Sequence, residues 1–459
     1  MILFLCKGDR YMGRVALIGE NSTEYVDTLL DIWNNGDCAV LLDWRIPLKT
    51  AIVMMKEADV YKCFIEKKYF NINNVDAPTN IEFVLFERKN NNAEYLDNNI
   101  YYKFIEKYSQ DEAVVIYSSG TTGKSKGIIL SHFAINTNAD SIIDYMCPTD
   151  NDCIYLAKTL SHLSTLTGEL LVSLKSKTKL VIAPTIVPPR YVLNKIEQFG
   201  VSVICLNPTL LSMLANEYQS GKYNLSSLKT IYVSGSVLND KVFDLAHKVF
   251  KNQNIYNIYG LSEAGPRVTA QRKECCNSNS VGRPIKGIEL SIIDETGNRV
   301  LHGERGIIHI KTPSRFTRYV SGEEKHMPLC EGWLNTGDIG YFDDFDELHI
   351  INRIDDVIII NSHKVYPGDV EKKILTHTSI SECAVVAVEY KGTELLGCVY
   401  VGTQDVDINI RKQLNDLLMA YEIPRLFIKR SAIPRTRNGK ISKQEIQVQI
   451  IMALKEGKI

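Results

Sequence analysis

The sequence predicts an α/β fold: a large N-terminal domain of helix-flanked, mostly parallel sheets with a small distorted β-barrel, then a small α+β C-terminal domain. Three observations carry that prediction. Apolar strand-like runs alternate with amphipathic helical runs in the first part of the chain. The segment Ser280 to His309 breaks into short β-branched pieces between glycines, and the polarity shifts again after Ile350. At 459 residues the chain exceeds what one core can organise, so two or three domains are expected.

The elements follow in order. Met1 to Cys6 is apolar but too short for a signal-peptide core and has no basic leader, so it reads as a short buried strand. Val15 to Gly19 is a strand ending in a glycine turn. Asn21 and Ser22 are able to cap a helix from Tyr25 to Asn34, and Cys38 to Leu42 returns as a strand. The Asn-rich stretch from Glu87 to Asn99 reads as a surface connection. Strands at Val201–Leu206, Leu228–Val233 and Ile255–Ile258 alternate with helices at Leu210–Gln219 and Asn239–Phe250, the pattern of helices packed on parallel strands. Gly282, Gly287, Gly297, Gly303 and Gly306 punctuate the barrel-like region. In the last hundred residues Ala384–Val388 and Gly397–Val401 read as strands and Ile408–Ala420 as an amphipathic helix.

Composition excludes several classes of function. Lys plus Arg total 53 and Asp plus Glu total 54, which leaves no basic field for nucleic acid or an anionic membrane surface. No run approaches the length that crosses a bilayer, so a cytoplasmic location is expected. Eleven cysteines without CxxC or regular spacing read as reduced thiols, and the histidines do not cluster with them as a zinc site requires.

The strongest local signal is Ala113 to Gly127. A buried strand runs into small hydroxyl-bearing residues with three glycines and two lysines. Backbone N–H groups of such a turn form an anion cradle, to which Ser118, Ser119, Thr121 and Thr122 add hydroxyls, Gly120 and Gly123 close backbone approach, and Lys124 and Lys126 charge. A polyphosphate suits it. A P-loop does not: its first glycine would stand at Ser118, and a helix would have to follow, whereas Gly127-Ile-Ile-Leu130 reads as a strand.

Five motifs in order resemble the adenylate-forming (AMP-binding) superfamily of acyl- and aryl-CoA synthetases, carrier-protein adenylation domains and luciferases. They are Tyr117 to Gly127, Tyr259-Gly-Leu-Ser-Glu263, Gly332 to Asp338, Asn352 to Ile360 with Val365 to Glu371, and Pro434 to Ile441. The resemblance implies ATP and Mg²⁺ as cofactors, with acyl transfer to the thiol of CoA or of a carrier protein's phosphopantetheine. By position it implies that Tyr259 lies against adenine, with Ser234-Gly235-Ser236, Asn257 and Gly260 beside it. Asp338 and Arg353 would hold the ribose, Ser262 would face phosphate, and Glu263 would hold the metal. Lys440 would bridge the carboxylate and the α-phosphate as the catalytic cation. Asp355 would be the hinge of a mobile C-terminal domain, dividing the chain into residues 1–354 and 355–459.

The small-molecule acid is less defined. His162 matches a pocket-mouth position, and Asn207, Ser236 and Ile258 are placed near the acyl tail. Where α-amino-acid adenylation domains carry an aspartate for the ammonium group, Leu163 or a neighbour stands, so a plain acyl or aryl acid fits better. Ser125 replaces the usual proline of the phosphate loop without removing a ligand. Ser362 replaces a glycine common in thioester-forming members and is expected to narrow the pantetheine path. The chain also begins late for this family. Three readings follow: an acyl- or aryl-CoA ligase, a ligase loading a carrier protein, or a nucleotide-binding protein without catalysis.

Overall fold

The computed structural model describes residues 12–71, 78–118, 125–185, 187–218, 222–273, 280–322, 329–330, 332–360, 363–390, 393–403, 408–436 and 441–456. The expected strand at Met1–Cys6, the loop residues Ser119 to Lys124, Ser362 and Lys440 lie outside them.

Two sheets form the large domain. The first has seven strands, in the order Arg318–Tyr319, Lys126–Ser131, Glu112–Ser118, Cys38–Leu42, Arg14–Ile18, Val60–Glu66 and Glu82–Phe86. Its strands run parallel except Lys126–Ser131, which lies antiparallel between Glu112–Ser118 and Arg318–Tyr319. The central strands Arg14–Ile18, Cys38–Leu42 and Glu112–Ser118 are mostly apolar runs largely buried on both faces, as parallel strands covered by helices must be. The second sheet has eight strands, with Asn254–Gly260, Thr230–Val233, Val203–Leu206, Cys153–Leu156 and Lys179–Ile182 parallel in that order at its centre.

Local chemistry sets the helix boundaries. Ser22 caps the helix Thr23–Asn34 by accepting from Tyr25 N at 3.1 Å. Asn21 does not share that role. Its amide spans the two sheets, donating to Lys158 O at 2.8 Å and accepting from Leu160 N at 2.9 Å. The polar stretch after Glu87 is also more than a surface connection: Glu94–Tyr95 pairs with Lys179–Ile182, and Ala93 and Leu96 are buried. Apolar anchors hidden among asparagines explain the difference.

The region read as a small distorted barrel is an antiparallel sheet of Glu289–Ile293, Gly306–Lys311, Trp333–Phe342, Leu329–Cys330 and Leu348–Arg353. Its pairings among the described residues form an open path, because the long strand Trp333–Phe342 meets two short strands along one edge. The C-terminal unit has a three-stranded sheet of Ile380–Tyr390, Thr393–Gly402 and Leu426–Lys429. The helix Pro367–His377 packs on one face, with Val370 and Ile374 in that core, and Lys443–Lys455 on the other, through Ile446 and Ile450. The helix read as Ile408–Ala420 runs Ile408–Leu417. No described helix is long and apolar enough to cross a membrane.

Candidate active site

Parallel strands bring their carboxyl ends to one edge, where ligands of open α/β sheets gather. Here that edge of the second sheet carries Asn207 after Val203–Leu206, Ser234–Ser236 after Thr230–Val233, and Tyr259–Gly260 at the end of Asn254–Gly260. The segment from Lys158 to His162, after Cys153–Leu156, joins them. Residues far apart in sequence thus meet because of strand order.

The polar centre assembles from two parts of the chain. Asp338 stands directly opposite Arg353 on neighbouring antiparallel strands, with Arg353 Nη1 3.3 Å from its Oδ1. Tyr259 donates its phenol to Asp338 Oδ2. Burial, reinforced by that carboxylate, holds the Tyr259 phenol far above its ordinary pKa, so it stays a donor. Thr336 fixes the turn: its hydroxyl donates to Ile308 O at 2.8 Å and accepts from Asp338 N at 3.0 Å. Arg353 also donates from Nη2 to Thr336 O at 3.4 Å, while its buried Nε has no hydrogen-bond partner among the described residues. Gly260 must be glycine, because a Cβ there would lie 1.9 Å from Pro266 O.

The phosphate-loop strands reach the same place. Ser118 pairs with Lys126 across an antiparallel ladder, so the loop connects two strands and opens no helix. The expectation against a P-loop therefore holds. Arg318–Tyr319 pairs with the return strand, and Tyr319 donates to Glu263 Oε1 at 3.1 Å. Lys126 Nζ lies 5.7 Å from the centre of the same tyrosine ring. One aromatic side chain thus joins the lysine after the loop to the carboxylate of Tyr259-Gly-Leu-Ser-Glu263. Glu263 and Ser262 share one short 3-10 turn, and the second oxygen of Glu263 carries no hydrogen bond from the described residues.

The remaining expected site residues divide. Asn257 is committed to structure, with its amide donating to Ser280 O at 3.1 Å and its backbone N–H donating to Gln271 Oε1. Asn207 caps the helix Pro208–Tyr218, accepting from Leu210 N at 2.7 Å. Ile258 lies in the main core. Gly235 adopts φ +100° at the edge, a conformation that favours glycine, and Ser236 is exposed. His162 precedes an irregular helical segment and is half-buried near Asp43, whose carboxylate is pushed up by burial but held below its usual range by the combined hydrogen bonds and charge of Arg45. Asp355 lies exposed in the turn Ile354–Asp356, and the neighbouring Asp356 pairs with Lys443 at 2.9 Å. Arg435 forms an isolated antiparallel bridge with Ile441 on the C-terminal unit.

Sequence reasoning missed Tyr319 and Thr336. Tyr319 lies in a two-residue strand that carries no periodic signal, and Thr336 stands unremarked inside the motif Gly332 to Asp338.

Two family models match this architecture: "AMP-binding enzyme" over residues 5–320 and "AMP-binding enzyme C-terminal domain" over residues 369–440. The chain belongs to the AMP-binding enzyme family. Among curated relatives of this AMP-binding enzyme, a 4-coumarate–CoA ligase of Vanilla planifolia is 29% identical over 365 residues, covering 75% of this chain and 65% of the relative. 4-Coumarate-CoA ligase 1 of Narcissus pseudonarcissus is 26% identical over 371 residues, covering 77% of this chain and 68% of the relative. The chain spans about two thirds of the length of such relatives. ATP-bound MatB from Rhodopseudomonas palustris shares the fold with a TM-score of 0.85 at 22% identity, over 96% of this chain and 89% of that one.

Proposed function

We propose that this AMP-binding enzyme activates a carboxylic acid with ATP and Mg²⁺ and passes the acyl group to the thiol of CoA. The convergence of Tyr259, Asp338 and Arg353 carries the reading. A flat phenol ring, a carboxylate suited to a ribose diol and a guanidinium with a spare buried N–H are the groups a nucleotide requires. The names of the curated relatives support a CoA thiol as acceptor.

The residues present suit the chemistry. In the first half-reaction a carboxylate oxygen of the acid forms a bond to the α-phosphorus as the bond to pyrophosphate breaks. In the second, the CoA sulfur, having lost its proton, attacks the acyl carbonyl and AMP leaves. Asp338 and Arg353 position the ribose, Tyr259 orients the base, and Lys126 with Ser118 flanks the phosphates. Glu263, with one oxygen braced by Tyr319, would hold Mg²⁺, which when bound neutralises phosphate charge. Lys440 would supply the cation between two anionic reactants.

The test is acid-dependent exchange of pyrophosphate into ATP, followed by product analysis with CoA or a holo carrier protein as acceptor. Exchange with an acid, and thioester formation with CoA, is expected. Exchange with thioester formed only on the carrier would replace the acceptor, and exchange with no acid would overturn the reading.

A further inference from the structure

Beside the nucleotide edge lies a cluster that the adenylation chemistry does not use. Arg267 opens the strand Arg267–Ala270, directly after the turn bearing Glu263, and pairs in register with Gly260. Its backbone is held at both polar groups by Asn138, whose amide donates to Arg267 O at 3.0 Å and accepts from Arg267 N at 3.2 Å. The side chain is 1% exposed and runs into the interior between the strand Val203–Leu206, the helix His132–Met146 and the π-helical turn Leu166–Leu171.

Guanidinium is charged at any relevant pH, and a buried charge without a counter-ion is strongly unfavourable. Arg267 nevertheless has only weak partners. Nη1 lies 3.4 Å from the Tyr145 hydroxyl, Nη2 lies 3.7 Å from Cys205 Sγ, and Nε has no hydrogen-bond partner among the described residues. Among the described residues no carboxylate lies within ion-pair distance of it. The one fully buried carboxylate nearby, Glu169 at 0% exposure, is taken by Lys158, whose Nζ is 3.2 Å from Oε1. Two cations therefore share one anion. Space is kept for the fork as well, since a Cβ at Gly168 would lie 2.5 Å from Arg267 Nη2.

The cluster lies beside Gly260, which pairs with Arg267, and the chain leading on from His162 reaches it through Glu169. His162 and Glu169 sit on one irregular helical segment, about 10 Å apart along it at ~1.5 Å per residue. Tyr145, Tyr232 and Tyr256 wall the region with edge-on and tilted rings. Arg267 is the register partner of Gly260 at that edge, so the far end of a short acid activated there would fall within reach of the guanidinium.

We propose that Arg267 is the specificity-determining residue of the acyl site and that the preferred acid carries a second carboxylate, as a short dicarboxylic acid does. The planar guanidinium fork matches a carboxylate with two parallel hydrogen bonds, and the incoming anion supplies the charge that the cluster lacks. Burial pushes the Glu169 carboxyl above its ordinary range while Lys158 and Arg267 both pull it down, so this single carboxyl is the shared counter-group of two cations. The inference rests on the acid-activating reading above.

Pyrophosphate exchange by the full chain over matched pairs tests it: dicarboxylic acids of increasing length, each beside its monomethyl ester, with simple aliphatic acids and hydroxycinnamic acids as further arms. For at least one pair, kcat/KM of the diacid should exceed that of the ester by ~10²-fold or more, as for a site built to hydrogen-bond a group that the analogue lacks. Arg267→Met should bring that ratio close to one, and Arg267→Lys, which keeps charge but not the fork, should leave an intermediate ratio. ATP-dependent thermal shifts report whether each variant folds. If wild-type enzyme uses monoacids while no diacid outperforms its ester, the inference is overturned and the acid-activating reading survives. A wild-type preference that Arg267→Met leaves unchanged in folded protein overturns the role of Arg267. If no acid supports exchange, both fall.

Discussion

The nucleotide edge of the large domain and the junction with the C-terminal unit are held by different means. At the edge, Gly260 lies against the Pro266 carbonyl, Thr336 pins the Asp338 turn, and Tyr259 and Arg353 meet that carboxylate from two strands. The junction relies on side chains from opposite surfaces. Arg305 pairs with Asp369 at 2.6 Å, Lys364 pairs with Glu295, and Lys241 donates to the carbonyls of Thr378 and Ile380. Exposed pairs such as Lys364–Glu295 contribute ~1 kcal/mol or less, so they release readily. The molecule is stiff where a nucleotide would be recognised and weakly fastened where one domain would turn on the other.

Four experiments break or sharpen that contrast. The largest effect is expected from Lys440→Ala, which should slow acyl-adenylate formation ~10²–10³-fold while a supplied acyl-adenylate is still transferred to CoA. Single-turnover assays of each half-reaction check this, and equal loss in both would contradict a C-terminal unit that presents different faces to the two steps. Gly260→Ala comes next. A methyl group 1.9 Å from a backbone carbonyl must displace the strand, at about 3 kcal/mol of stability, the upper end for overpacking. Denaturant unfolding should register this, and a variant of wild-type stability would show that the edge yields.

The third experiment uses His132, buried at the start of the helix His132–Met146 against Trp33. Burial, with the Lys107 cation adding, lowers its pKa to about 4. The folded protein therefore takes up this proton later than the unfolded chain does. Stability from this group is complete above pH ~6.5 and declines as pH falls toward 4, by roughly 2–3 kcal/mol. Melting temperatures over that range should drop more steeply for wild type than for His132→Gln, and identical slopes would place the charge elsewhere. The smallest effect belongs to Arg305→Ala at the junction, below ~1 kcal/mol by chemical denaturation. A loss of several kcal/mol there would mean that the two units are fused rather than lightly fastened.

How far the site was legible depended on how local its determinants are. The motif residues Tyr259, Asp338 and Arg353 were readable by position, and the structure brings them together. Asn207 and Asn257 were read as ligand-facing, yet their amides serve a helix cap and a neighbouring carbonyl. A polar residue beside a motif has the same appearance in sequence whether it faces a ligand or the backbone. Arg267 left one signal, a charge heading a buried strand, but its lack of a carboxylate partner among the described residues is a fact of three-dimensional packing.

Sequence alone determined the strand–helix alternation and the strand-to-strand connection of the phosphate loop. Each depends on periodicity, on turn chemistry or on the presence or absence of a helix signal within a dozen residues. Tertiary structure alone decided that Tyr319 would brace Glu263, that Asn21 would tie two sheets together, and that Lys158 rather than Arg267 would take Glu169. Those outcomes follow from strand order and from which charges the folded interior leaves within reach of one another, quantities that no local window of residues contains.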